Sequence, residues 1–157
     1  MENMAGGADR ELEKRFRAAV LFFAIVTIAA AGLTIFAWLF PTSAPEGKQS
    51  DLTPVWILII FIAAGSFVLR RVLFRWERFR DRKLLGGSSG LLRSLQANAF
   101  ILGGIGGLIA LLGFIAARAS GDSFDMLRAG VAALIVLAIN FPRRSIWLKV
   151  AKSLDEI

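Results

Sequence analysis

Residues 18–40, AAVLFFAIVTIAAAGLTIFAWLF, form a run of 23 positions without one charge. A helix of roughly 20 apolar residues crosses the hydrocarbon core of a bilayer. A secretory signal core is shorter, about 7–15 residues. The nearest small-residue site, TSA at residues 42–44, is followed by Pro45, which disfavours cleavage. The run is therefore expected to stay in place as an anchor, with Pro41 ending its helix.

Three further runs repeat the pattern. The second opens at Pro54, a favourable first-turn residue, and its apolar stretch from Val55 to Leu69 is lengthened by Arg70 and Arg71, whose long stems can snorkel. The third covers Ala99 to Ala117. The fourth, Met126 to Phe141, is the shortest; it contains Arg128 and stops at Pro142. An arginine one turn into a helix reaches the interface, which favours a full span over a re-entrant segment. The expected spans are about 18–40, 54–74, 95–117 and 126–141. Composition agrees: 56% of residues are hydrophobic, mean hydropathy is +0.63, and the 20% that are charged sit in short blocks.

Those blocks set the expected orientation. Arg10, Lys14, Arg15 and Arg17 precede the first span. Eight basic residues lie between the second and third, and Arg143, Arg144, Lys149 and Lys152 follow the fourth. The other two connections hold only Lys48, Arg118 and Arg128. The positive-inside rule then places both termini and the central connection in the cytoplasm, which requires an even number of spans. The net charge of +7 is assigned to anionic lipid headgroups rather than nucleic acid, because it collects at membrane boundaries and no nucleic-acid module is present.

The central stretch 70–85, RRVLFRWERFRDRKLL, has an apolar stripe of Leu69, Val72, Leu73, Trp76 and Phe79. Arg71, Arg75, Arg78 and Arg82 fall on another face. The second helix is expected to continue as a cytoplasmic amphipathic arm, broken by GGSSG at 86–90. Two readings stay open. The arm snorkels into headgroups, or Trp76 and Phe79 anchor a partner protein with the arginines around them.

Several chemistries lack their residues. The chain has no cysteine and no histidine, so thiolate and imidazole metal ligands and their catalytic roles are absent. None of the twelve acidic residues falls within an expected span, so a membrane-embedded proton or cation carrier is missing. The glycines of GGIGGLIALLG, residues 103–113, precede no Lys-Ser/Thr pair and follow no strand, so neither nucleotide fingerprint applies. No catalytic residue, cofactor or metal is expected, and the chain is read as a non-enzyme.

Those glycines suit close helix packing instead. Ala99, Gly103, Gly106, Gly107, Ala110 and Gly113 recur at three- and four-residue steps, with Gly103 and Gly107 forming G-x-x-x-G. The stripe packs within the chain or joins copies of it; both remain open. Asn98 and Asn140 are expected to hydrogen-bond between helices or at a frayed end.

A glycine-rich helix followed by a short loop and a second helix, residues 96–141, resembles the hairpin of rotary ATPase c subunits. That family's second helix carries a proton-binding carboxylate. Residues 129–141 hold none, so the resemblance implies shape and not proton translocation. The second half of the chain, with FPRRSIW at 141–147, is also similar to small bacterial four-span membrane proteins of uncharacterised role. Some of those have an acid where this chain has Asn98.

The expectation is an all-α integral membrane bundle of four transmembrane helices in two hairpins, the second helix extended into the arm, within a bacterial inner membrane. Its expected role is a non-catalytic accessory or assembly subunit of a larger membrane complex. The alternative is a small homo-oligomeric channel or transporter.

Overall fold

A computed structural model gives an α-helix for every regular element among the described residues. It describes the backbone of residues 2–41 and 51–155, and the side chains of residues 10–41, 51–75, 87 and 89–150. The elements are α1 (Glu2–Leu39), α2 (Thr53–Leu73), α3 (Trp76–Ser120), α4 (Ser123–Asn140) and α5 (Arg144–Asp155). Four stretches are long and apolar enough to cross a membrane: Arg10–Leu39, Thr53–Leu73, Ser89–Ser120 and Ser123–Val150. The chain is a multi-pass membrane protein by this measure.

The third span is the centre. α3 packs against α1, α2, α4 and α5, and α1 and α2 each reach α4 as well. α1 and α2 make no substantial contact with each other, so the expected first hairpin does not form as a packed pair. Residues 40–52 separate them, a connection long enough for each helix to settle on the α3–α4 pair instead.

Small residues explain why α3 can hold so many neighbours. Without solvent to drive helices together, association in lipid depends on close van der Waals approach. A methyl built on Gly113 would lie 2.1 Å from the Ala129 Cβ, and one on Gly106 would lie 2.5 Å from the Leu137 Cγ. These two glycines seat α4. Gly103 and Gly107 face α1, where an added Cβ would come within 2.9 Å of the Phe22 ring and 3.2 Å of the Val26 Cγ1. Ala99 and Ala110 are buried beside them. Gly104 differs: nothing lies within 4 Å of where its Cβ would be.

The α3–α4 turn is short because its residues suit it. Gly121 adopts φ 73°, the left-handed conformation common just past a helix C-terminus, and its N–H donates to the Ala117 carbonyl at 3.0 Å. Asp122 follows as the N-cap of α4, accepting from the Phe124 N–H at 2.9 Å. Across the same end, the Ser123 hydroxyl donates to the Ala37 carbonyl at 3.0 Å and joins α4 to α1. At the start of α2, hydrogen bonds from Thr53 hold the Asp51 carboxyl below its ordinary pKa.

The arm is not an extension of α2. α2 ends at Leu73, Arg75 is extended with φ −66° and ψ 130°, and a new helix begins at Trp76. The Asn98 side chain meets a carbonyl that the break leaves free. Its Nδ2 donates to the Leu73 carbonyl at 3.1 Å, the acceptor that a continuing helix would offer to residue 77. The segment 76–86 is a separate helical stretch, set off from the third span by a kink at Gly87 within GGSSG. Gly87 alone leaves helical geometry there, with φ 62° and ψ −164°, a conformation essentially confined to glycine.

Gly113→Ala is expected to destabilise the bundle by about 1–3 kcal/mol, the usual cost of overpacking. Gly104→Ala is expected to stabilise it by up to about 1 kcal/mol, since glycine weakens a helix interior. Unfolding in mixed micelles, followed by circular dichroism, separates the two. An equal response at both positions would remove the close α3–α4 approach from consideration.

Candidate functional site

Among the described residues, several polar contacts between helices gather at the end of the bundle where basic residues collect. α1 reaches it first. Glu11 and Arg15 pair at 2.8 Å and Glu13 and Arg17 at 2.9 Å, each Glu four residues before its Arg, the better orientation on a helix. These pairs continue α1 well before the apolar run, where sequence reading began it at residue 18. Arg15 also donates to the Gln96 Oε1 at 3.2 Å, tying α1 to α3. Arg10, Glu11, Lys14, Arg15 and Gln96 border an open groove of about 510 Å³ beside α1.

α5 completes this end. Pro142 cannot continue α4, and the chain re-enters helix at Arg144. Ile146, Trp147 and Val150 face inward; Trp147 is 1% exposed and meets the Phe16 ring edge-on, with centroids 5.6 Å apart. Arg144 lies 3.3 Å from Glu13 on α1. Sequence reading missed α5, although the spacing of Ile146, Trp147 and Val150 marks one helical face.

Between α2, α3 and the α4–α5 elbow lies a cavity of about 220 Å³. Arg70, Asn140 and Arg143 are among its lining residues, with Ala99, Leu102, Phe141, Ile146, Trp147 and Val150. Arg70 donates to the Ile139 carbonyl, which binds the end of α2 to the end of α4. Asn140 is 5% exposed. Its Nδ2 donates to the Val136 carbonyl one turn back at 2.9 Å, whereas its Oδ1 is buried without a hydrogen-bond partner. Turning the amide over would set Oδ1 against that carbonyl, so the orientation follows from the bond. Arg143 is exposed at the rim.

The other expected site residues separate. Asn98, 6% exposed, bonds between helices, while Asn140 bonds within its own. Ala99, Gly103, Gly106, Gly107, Ala110 and Gly113 face α1 and α4 in the interior. Arg71 and Arg75 are exposed. The side chains of Trp76, Arg78, Phe79 and Arg82 lie outside the described residues.

The opposite end is aromatic. The Arg118 guanidinium sits 5.2 Å from the Phe36 centroid and 5.0 Å from the Phe114 centroid, and it donates to the Phe40 carbonyl at 3.1 Å. Trp38 and Phe124 meet edge-on at 5.8 Å. Rings of this kind suit a membrane–water boundary. Asp125 was expected in the loop but lies in the first turn of α4, 7% exposed, accepting from the Ser120 hydroxyl at 2.8 Å and lying 3.5 Å from Arg128. It is thus a satisfied end residue and does not sit in the middle of a span.

Among the described residues, no group of three or more acidic residues is placed to hold a metal ion. No family model, no curated protein and no solved structure matches this chain.

Asn98→Leu is expected to lower stability by about 0.6 kcal/mol, and by no more than about 1.7, the span measured for hydrogen bonds between membrane helices. Unfolding in mixed micelles measures it. A cost as large as that of Gly113→Ala would mean that the Leu73 carbonyl matters far more than a single interhelical bond.

Proposed function

We propose that this protein is a non-catalytic accessory or assembly subunit of a larger membrane complex. The observation that carries the reading is where the apolar surface remains. The packing stripe of α3 is occupied by α1 and α4 of the same chain. In the first two spans only 17% and 11% of the most apolar window is buried, against 44% in each of the other two. Ile57, Ile60, Phe61 and Val68 of α2 are all more than half exposed. A helix held by so little of its surface suits a lateral contact with another membrane protein.

The buried polar side chains also support a non-conducting role. Ser94, Asn98 and Asn140 lie towards the basic end, Asp125 at the aromatic end, and Ser66 returns its hydroxyl to the Ala63 carbonyl of its own helix at 2.7 Å. Among the described residues they do not line up as a polar path from end to end. This counts against a pore within one chain and leaves the homo-oligomeric channel as the rival. The small-residue stripe gives that rival no surface, since it is already buried.

Extraction in mild detergent followed by native mass spectrometry tests the proposal. Defined assemblies with other membrane proteins are expected. A homogeneous ring of this chain alone would establish the channel reading in its place, and a lone protomer would remove both.

We further place the protein in a bacterial inner membrane with both termini cytoplasmic, with anionic lipid headgroups around the basic end and no nucleic-acid partner. The absence of cysteine makes this simple to check. In intact cells, Ser43→Cys should react with a membrane-impermeant maleimide, and Ser145→Cys should react only after permeabilisation. The reverse pattern would invert the topology.

A further inference from the structure

The open groove of about 510 Å³ beside α1 is the larger recess at the basic end. Arg10, Lys14 and Ala18 border it at four-residue steps, along one strip of α1. Three more of its residues hold one another. Arg15 donates to Glu11 through Nε and Nη2, at 3.0 and 2.8 Å, and to Gln96 on α3 through Nη1 at 3.2 Å. We propose that this groove docks an extended acidic segment of a partner protein, with carboxylates at alternate positions set against Arg10 and Lys14. The inference rests on the accessory-subunit reading and adds the chemistry of the contact.

Charge selects an acidic occupant. Three cations and one acid border the groove. Glu11 is already engaged by Arg15, so those two charges offset each other. Arg10 and Lys14 are exposed and form no ion pair among the described residues, whereas Arg15, Arg17, Arg128 and Arg144 each have an acid. The groove therefore presents the charge of Arg10 and Lys14, and its complement is anionic.

Spacing selects an extended polypeptide. At a rise of 1.5 Å per residue, Arg10 and Lys14 stand about 6 Å apart along α1. Side chains on one face of an extended chain recur every second residue, about 6.6 Å apart. An acid-x-acid pattern thus meets both cations in register. The strip from Arg10 to Ala18 is about 12 Å long, the length of about four extended residues. Gln96 adds a donor suited to a peptide carbonyl. Its Oε1 accepts from Arg15, while its Nε2 has no acceptor among the described residues and is not sealed from the surface.

Depth favours a protein over a lipid headgroup. The apolar run of α1 begins at Ala18, and Arg10 lies about 12 Å before it along the helix. The headgroup layer adds only about 5–8 Å on each side of the hydrocarbon core. The outer part of the groove thus stands clear of the phosphates, where a polypeptide in water can reach it.

The test uses the full chain in phosphatidylcholine nanodiscs and three short labelled peptides, followed by fluorescence anisotropy. One alternates Asp with Ala, one has the same residues with the Asp contiguous, and one alternates Asn with Ala. The alternating Asp peptide is expected to bind saturably, the contiguous one about threefold more weakly, and the Asn peptide not at all. Arg10→Gln and Lys14→Gln should each weaken the alternating peptide about threefold, the scale of one exposed ion pair. Arg143→Gln removes the same charge from the same end but outside the groove, and should leave binding unchanged. No saturable binding, equal binding of the two Asp peptides, or an equal loss in Arg143→Gln would each overturn the proposal. Displacement of the peptide by an equal concentration of short-chain phosphatidylglycerol would overturn it too, by assigning the groove to lipid.

Native mass spectrometry keeps this inference apart from the accessory reading. Assemblies with other membrane proteins that persist in the Arg10→Gln, Lys14→Gln double variant would sink the groove and leave the accessory role standing. A parent chain that binds the peptide in register yet forms no assembly would remove the accessory role and leave the recognition by the groove.

Discussion

Everything in this bundle depends on how closely α4 approaches α3. Lipid tails are as apolar as leucine, so burying apolar side chains between helices gains little over leaving them in the bilayer. Contact has to come from shape. At Gly113 the neighbouring Ala129 already occupies the space of a side chain, and at Gly106 Leu137 does so. These two steps press two helix backbones together over two turns. The left-handed Gly121 and the Asp122 cap allow α4 to turn straight back along α3. Once that pair exists it offers a surface on which α1 and α2 settle separately.

The two ends of the bundle then hold by different means. At the aromatic end the contacts are ring edges, the Arg118 guanidinium against two neighbouring phenylalanine rings, and a hydroxyl on a carbonyl. At the basic end they are side-chain bonds to helix-terminal carbonyls: Asn98 to Leu73 and Arg70 to Ile139. The last carbonyls of a helix have no partner within it, and in or near lipid an unmet carbonyl is expensive. Long polar side chains from neighbouring helices meet that need where α2 and α4 stop. A polar residue near a helix end therefore satisfies the end of its neighbour here.

That role explains which features could be read from the chain. Uncharged runs report membrane spans directly, because the constraint is local: an unbroken apolar length of about 20 residues. The close-packing role of Gly103, Gly106, Gly107 and Gly113 was legible for the same reason, but not which neighbour each would meet. Gly103 and Gly107 belong to α1, whereas Gly106 and Gly113 belong to α4, and only the rotation of α3 decides this. The end of α2 was illegible. Residues 69–79 carry a continuous helical stripe, and nothing within them announces a break. The Leu73 carbonyl that the break frees is met by Asn98, 25 residues further along. The start of α1 was legible in principle, from Glu11–Arg15 and Glu13–Arg17 at four-residue spacing.

The same reasoning separates Asn98 from Asn140, which look alike in sequence. Each lies near the basic end of a span, and each donates its amide N–H to a backbone carbonyl. Asn98 bonds to another helix and fixes geometry. Asn140 bonds to its own helix, as a capping side chain would, and keeps an acceptor in reserve. Around it the chain places Pro142, which forces the elbow, and Trp147, which closes one wall. A leucine at 140 would fill the place of the amide at no electrostatic cost. An asparagine there, with arginines at 70 and 143, makes a small polar recess in an otherwise apolar wall. The recess lies where α2 and α4 end.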